Sequence, residues 1–96
     1  MRIGERTVTP LAKMIGTILR RERLAQSKTM RDVSASAYIG LGYLSEVERG
    51  KKNVSFDVLE NIGKALHLSL SDLFIELSAQ ILLEEETETC REQVCL

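Results

Sequence analysis

The feature that most constrains this chain is a break in its apolar periodicity at residues 38–40. Val33 and Ala37 lie four residues apart and share one face of a helix, and after Tyr38, Ile39 and Gly40 a second series begins with a new phase at Leu41, Leu44 and Val47. The second series ends at Gly50, where a helix commonly closes on a residue in the left-handed conformation, and Lys51 and Lys52 follow directly. This spacing predicts two short helices separated by a tight turn.

The flanking segments read as helices too. Thr9 and Pro10 form a helix start, because threonine can cap orphan amides and proline at the first position loses no hydrogen bond. The first helix is expected to run to about Arg23, burying a stripe of Leu11, Ile15, Ile18 and Leu19. Thr29 with Asp32 is a capping-box variant that opens the helix carrying Val33 and Ala37. Ser55 with Asp57 is expected to cap a fourth helix with the face Phe56, Leu59, Ile62 and Leu66, and Ser71 with Asp72 a fifth with the stripe Leu73, Phe74, Leu77 and Ile81. Joints of two to five residues would connect them. Aromatic residues make up only 4% of the chain and the single proline is Pro10, so nothing suggests a succession of short strands. The expected fold is all-α, with 44% apolar residues to fill one core.

Charge is uneven along the chain. From Glu84 onward there are five Glu against one Arg, a balance of -4, whereas Met1 to Leu83 carry twelve Lys and Arg against nine Asp and Glu, or +3. A basic body therefore precedes an acidic tail, and the expected division is an N-terminal arm over 1–9, a helical domain over 10–83 and a flexible tail over 84–96. The tail is either simply solvated or a competitor for the ligand of the basic face. No apolar run reaches the roughly 18 to 20 residues that span a bilayer, and the N-terminus lacks the apolar core of a signal peptide. A cytoplasmic protein without membrane contact is expected.

Enzyme chemistry finds no constellation. His67 stands alone at the end of the fourth helix, where it reads as a helix-terminal residue, and no Ser/His/Asp or Cys/His set is visible. Cys90 and Cys95 have no second Cys or His pair with which to complete a tetrahedral zinc site. They read as free thiols in a reducing compartment, or as a redox pair that only Arg91 could activate. No metal, no cofactor and no small-molecule ligand are expected.

A pair of helices joined by three or four residues is the helix-turn-helix unit, whose second helix enters the DNA major groove while the first rests on the backbone. The run "TMRDVSASAYIGLGYLSEVERGKKNVSFDVLENIGKALHLSLSDLF" resembles the Cro/CI (Xre-type) repressors, through its Tyr-Leu-Ser, Glu-Arg-Gly and Ala-Leu-x-Leu signatures. The match covers roughly Ile15 to Phe74, and "LGYLSEVERGKK" is particularly similar to the actinobacterial regulators of Clp protease genes. The resemblance implies a five-helix, lambda-repressor-like DNA-binding domain.

Residue by residue, the resemblance assigns base reading to Leu41, Gly42 and Glu46. Leu41 could contact a thymine methyl, Glu46 could accept from a cytosine amino group, and Gly42 could allow close backbone approach. It assigns the DNA backbone to Lys51 and Lys52, to Thr29 and Met30 at the start of the second helix, and to Tyr43 and Ser45. Met30 departs from the family's frequent Gln. Arg23 and Glu48 match a family ion pair, which is either a partly buried pair that fixes the angle of the reading helix or a weak pair at the rim.

The turn departs from the pattern, because Tyr38 stands where many relatives have Gly; the turn is either strained or of another type. The family also implies a homodimer, for which Leu73, Leu77 and Ile81 are the expected seam, with the acidic extension as a second candidate. The sequence thus points to a regulator of transcription that binds double-stranded DNA and reads a pseudo-palindromic operator as a dimer. The competing reading is a protein-interaction module on the same fold.

Overall fold

The structure is a computed structural model that describes residues 9–95, with side chains through Glu85. The expected N-terminal arm, apart from Thr9, and the side chains of Cys90 and Cys95 lie outside the described residues. Five helices follow one another: α1 (Pro10–Ala25), α2 (Met30–Ala37), α3 (Leu41–Glu48), α4 (Phe56–Ala65) and α5 (Leu70–Cys95). No strand occurs among the described residues.

Local hydrogen bonding explains where the helices begin. Thr9 Oγ1 accepts from the Ala12 amide at 3.2 Å, and Ser55 Oγ accepts from the Val58 amide at 3.3 Å. At α2 the capping box is reciprocal, with the Asp32 amide donating to Thr29 Oγ1 and the Thr29 amide donating to Asp32 Oδ2, each at 3.0 Å. For α5 the expectation of Ser71 is corrected. Ser69 is the cap, accepting from the Asp72 amide at 3.1 Å, so the helix starts two residues earlier. The described backbone stays helical through Cys95, and no helix end falls between Leu83 and Glu84.

Helix ends rely on left-handed residues, three of them, Ser27, Tyr38 and His67, not glycine. Ser27 (φ 55°) follows α1 while the Lys28 amide donates to Arg23 O at 3.0 Å, and His67 (φ 55°) follows α4 while the Leu68 amide donates to Gly63 O at 2.8 Å. His67 is thus an exposed helix-closing residue. Helix α1 ends at Ala25, a little beyond the expected Arg23, and the α3–α4 connection spans residues 49–55, longer than the joints expected.

A single core holds the helices together. Ile15, Ile18, Leu19, Val33, Ala37, Leu44, Val47, Leu59, Ile62, Leu66, Leu73 and Leu77 are all buried in it. Three residues expected on the apolar stripes are not: Leu11 is 41% exposed, Phe56 75% and Phe74 42%, with Ala12 taking the buried place in the first turn of α1. Leu11 and Phe56 belong to first turns at one edge of the bundle. There they line a shallow apolar groove with Phe74 and Val54 instead of being covered. The Thr9 amide reaches Asn53 Oδ1 across the same edge, at 3.4 Å.

The approach of α3 to α1 depends on Gly16. A Cβ at that position would lie 2.3 Å from Val47 O and 2.7 Å from Glu48 O, both rigid backbone atoms. Only a glycine lets the last turn of α3 rest against α1. Gly16→Ala should therefore destabilise the protein by about 1 to 3 kcal/mol through overpacking, although alanine is the better helix former by up to about 1 kcal/mol. Urea unfolding should show a lower midpoint for the variant, and an unchanged or higher midpoint would refute the close contact.

Candidate nucleic-acid interface

Helix α3 is held from one side and open on the other. Leu44 and Val47 point into the core, and Glu48 is buried beside them at 6% exposure. The Glu48 carboxylate receives two bonds from Arg23 of α1, from Nε to Oε2 at 2.7 Å and from Nη2 to Oε1 at 3.0 Å. The remaining terminal nitrogen, Nη1, donates to Lys28 O at 2.9 Å. Of the two readings of this pair, the rim contact is therefore ruled out by the burial of both side chains, which are 10% and 2% exposed. Hydrogen bonding to Glu48 raises the Arg23 pKa above its ordinary value, more than burial lowers it. The guanidinium ties α1, α3 and the α1–α2 joint together.

The turn before α3 is a strained one. Tyr38 adopts φ 58° and ψ 43°, and the Ile39 amide closes the turn on Ser34 O at 3.0 Å. A left-handed tyrosine costs about 1 to 2 kcal/mol relative to glycine. Its ring is 91% exposed, so side-chain burial does not offset that cost.

The open face of α3 carries Leu41, Gly42 and Glu46 together. Leu41 is 42% exposed, Gly42 is exposed, and no atom lies within 4 Å of a Cβ built on Gly42. Glu46 is half-buried and is paired, its Oε1 lying 3.3 Å from Lys52 Nζ, while the same ammonium sits 5.5 Å from the centre of the Tyr43 ring. Tyr43 and Ser45 are half-buried on this helix, and Lys51 is exposed beyond it. Gly50, at φ 72°, makes the turn that returns the chain, with the Lys51 amide donating to Glu46 O at 2.9 Å.

At the start of α2 the two expected residues separate. Thr29 is exposed but engaged in its capping box, whereas the Met30 side chain is partly buried and packs against the core. A flexible apolar methionine is drawn inward there. The expected seam of α5 needs a similar correction. Leu73 is fully buried and Leu77 is 5% exposed, both taken up by the molecule's own core, and only Ile81 of the three is half-exposed. The apolar surplus of α5 is instead Phe74, Ile75, Leu82 and Leu83.

Against this geometry, a helix-turn-helix family model matches residues 19–73, from α1 through the first turn of α5. The chain belongs to the helix-turn-helix family. Among its relatives is the transcriptional regulator ClgR of Mycobacterium tuberculosis (strain CDC 1551 / Oshkosh), 42% identical over 73 residues, which cover 76% of this chain. That match spans 65% of the length of the mycobacterial regulator, a little under two thirds. The crystal structure of the clp gene regulator ClgR from Corynebacterium glutamicum superposes with a TM-score of 0.76 at 31% identity, covering 92% of this chain and 94% of that one. A restriction-modification controller protein, solved as a tetramer with its natural 35 base-pair operator, superposes with a TM-score of 0.72 at 27% identity, covering 77% of this chain and 97% of its own. The similarity to regulators of Clp genes expected from residues 41–52 is thus met by named relatives.

Several supports of this helix-turn-helix unit were not read from the sequence. Gln26 Nε2 donates to Leu66 O at 2.6 Å and Lys28 Nζ to Ala65 O at 2.8 Å, so the α1–α2 joint caps the carbonyl end of α4. Arg21 bridges to Glu76 of α5 at 2.9 Å on the exposed side. A basic residue in the break between two helices was the available signal for Lys28. Its partner, some forty residues away, was not.

Two outcomes follow from the anchoring groups. Glu48→Ala leaves Arg23 buried without its carboxylate and should cost about 3 to 5 kcal/mol in chemical denaturation; a loss below about 1 kcal/mol would show a pair that behaves as exposed. Thr29 hydrogen bonds hold the Asp32 carboxyl below the ordinary aspartate value of 3.8. A depressed carboxyl stabilises the fold above the unfolded-state pKa and loses that contribution as pH falls through the folded-state pKa. Measured across a pH series, the stability difference between wild type and Asp32→Asn should be widest near neutrality and close below about pH 4. A difference independent of pH would contradict the capping box.

Proposed function

We propose that the protein is a sequence-specific DNA-binding regulator of transcription, reading a pseudo-palindromic operator as a homodimer and carrying out no chemistry of its own. The observation that carries this reading is the mounting of α3. A buried bidentate ion pair and a glycine contact fix one face of that helix, while Leu41, Gly42 and Glu46 stand together on the other. Such a rigidly held helix with an open face suits a B-DNA major groove, which is about 12 Å wide and admits one helix. Relatives named as transcriptional regulators, and a controller protein solved on its operator, support the same reading.

In this reading Leu41 meets a thymine methyl, Glu46 accepts from a cytosine amino group, and Gly42 lets the backbone come close. Lys51, the amides at the start of α2, Tyr43 and Ser45 engage phosphates. A two-fold dimer through the exposed apolar residues of α5, with Ile81 at its edge, would set two copies of α3 about 34 Å apart. Among the described residues no single helix is long and apolar enough to cross a membrane, in keeping with a protein that works on DNA in the cytoplasm.

Selection of bound sequences from a random duplex pool by the purified chain tests the proposal. A palindrome with half-sites one helical turn apart should be enriched. Glu46→Ala should relax one symmetric position by about 1 to 3 kcal/mol, and Lys51→Ala should weaken all sequences alike and lower the salt slope by about one. If nothing is enriched and only weak, salt-sensitive binding remains, the exposed Phe74, Ile75, Leu82 and Leu83 would favour the interaction-module reading instead.

A further inference from the structure

We infer that Lys52 is a positioning residue for Glu46: its ammonium neutralises the carboxylate on the open face of α3 and so allows an acidic side chain to work inside the major groove. The inference rests on the DNA reading proposed above and assigns Lys52 a task other than the phosphate contact that its resemblance implied.

Three side chains meet at this point. Tyr43 and Glu46 are three residues apart on α3 and therefore neighbours on its surface. Gly50 in the left-handed conformation folds the chain back, and the bond from the Lys51 amide to Glu46 O fixes the start of that return. Lys52 then lies alongside the helix that it has just left. Its ammonium sits 3.3 Å from Glu46 Oε1 and 5.5 Å from the Tyr43 ring centre, so one side chain attracts it by charge and the other by its π face. Lys51, one residue earlier, is exposed. Neighbouring lysines thus have different surroundings.

The physical need for a neutralising partner is plain. Duplex DNA carries about one negative charge per 1.7 Å of its axis, and a screening length of about 8 to 10 Å does not hide a groove-bound carboxylate from the phosphates on either side. An unpaired Glu46 would be repelled by the ligand whose amino group it is to accept from. With an ammonium beside one of its oxygens the carboxylate enters with its charge balanced, and the other oxygen stays available as an acceptor. Both side chains are nearly half exposed, 48% for Lys52 and 44% for Glu46, so the pair adds little to folding and its effect belongs to binding.

A double-mutant cycle on the full chain separates this role from phosphate anchoring, using the duplex enriched by selection, at fixed salt. Lys52→Met should weaken binding to that duplex about tenfold and loosen the same symmetric base position as Glu46→Gln, while in the Glu46→Gln background it should cost less than about threefold. Lys52→Arg should restore both affinity and base preference, and thermal unfolding should be unchanged in every variant. Equal losses in both backgrounds, with base preference intact, would make Lys52 an independent phosphate anchor and overturn the inference while leaving the DNA reading in place. Failure of the wild-type chain to enrich any duplex would overturn both together.

Discussion

The bidentate pair of Arg23 and Glu48 is the interaction on which the arrangement of this molecule turns. Taking two charges out of water is costly, and it is tolerated only where geometry and further hydrogen bonds are good. Here the guanidinium uses three of its nitrogens, on both carboxylate oxygens of Glu48 and on the carbonyl of Lys28. Because those partners belong to α3 and to the joint after α1, one side chain fixes α3 and the entry into α2. The core alone would leave more freedom, since apolar contacts between helices are not directional.

Gly16 and the α4 caps complete the frame around the pair. Close approach of α3 to α1 brings the carbonyls of Val47 and Glu48 against a bare glycine, and that approach places the Glu48 side chain within reach of Arg23. Gln26 and Lys28 then extend the same joint to the carbonyl end of α4. A short segment after α1 is thus the meeting point of three helices, and the left-handed Ser27 lets it turn there.

Legibility in the sequence divides along physical lines. Caps such as Thr9, Thr29 and Ser55 were readable because the capping bond of each comes from an amide three residues ahead. The start of α5 was misplaced between two serines, although Asp72 lies three residues after Ser69, the spacing a capping box prefers. Leu11 and Phe56 fit their helical stripes but sit in first turns at the bundle's edge, where periodicity carries no information about cover. Leu73 and Leu77 were recognised as apolar, yet whether the core or a second copy covers them is decided by the packing of α5. The Arg23–Glu48 pair, 25 residues apart, was readable only through family resemblance. The approach of Lys52 to Glu46 depends on the turn at Gly50 and had no sequence signal.

The empty space around Gly42 has a consequence for how such a molecule can change. The buried residues that fix α3 lie on its inner face, in Leu44, Val47 and Glu48, beside the contact with Gly16. A new side chain at Gly42 would meet no atom of the protein, and Leu41 beside it is already outside the core. The open face of α3 can therefore be rewritten at these positions one letter at a time without disturbing the scaffold. Duplicated copies of this chain could diverge in what they recognise while remaining the same folded object.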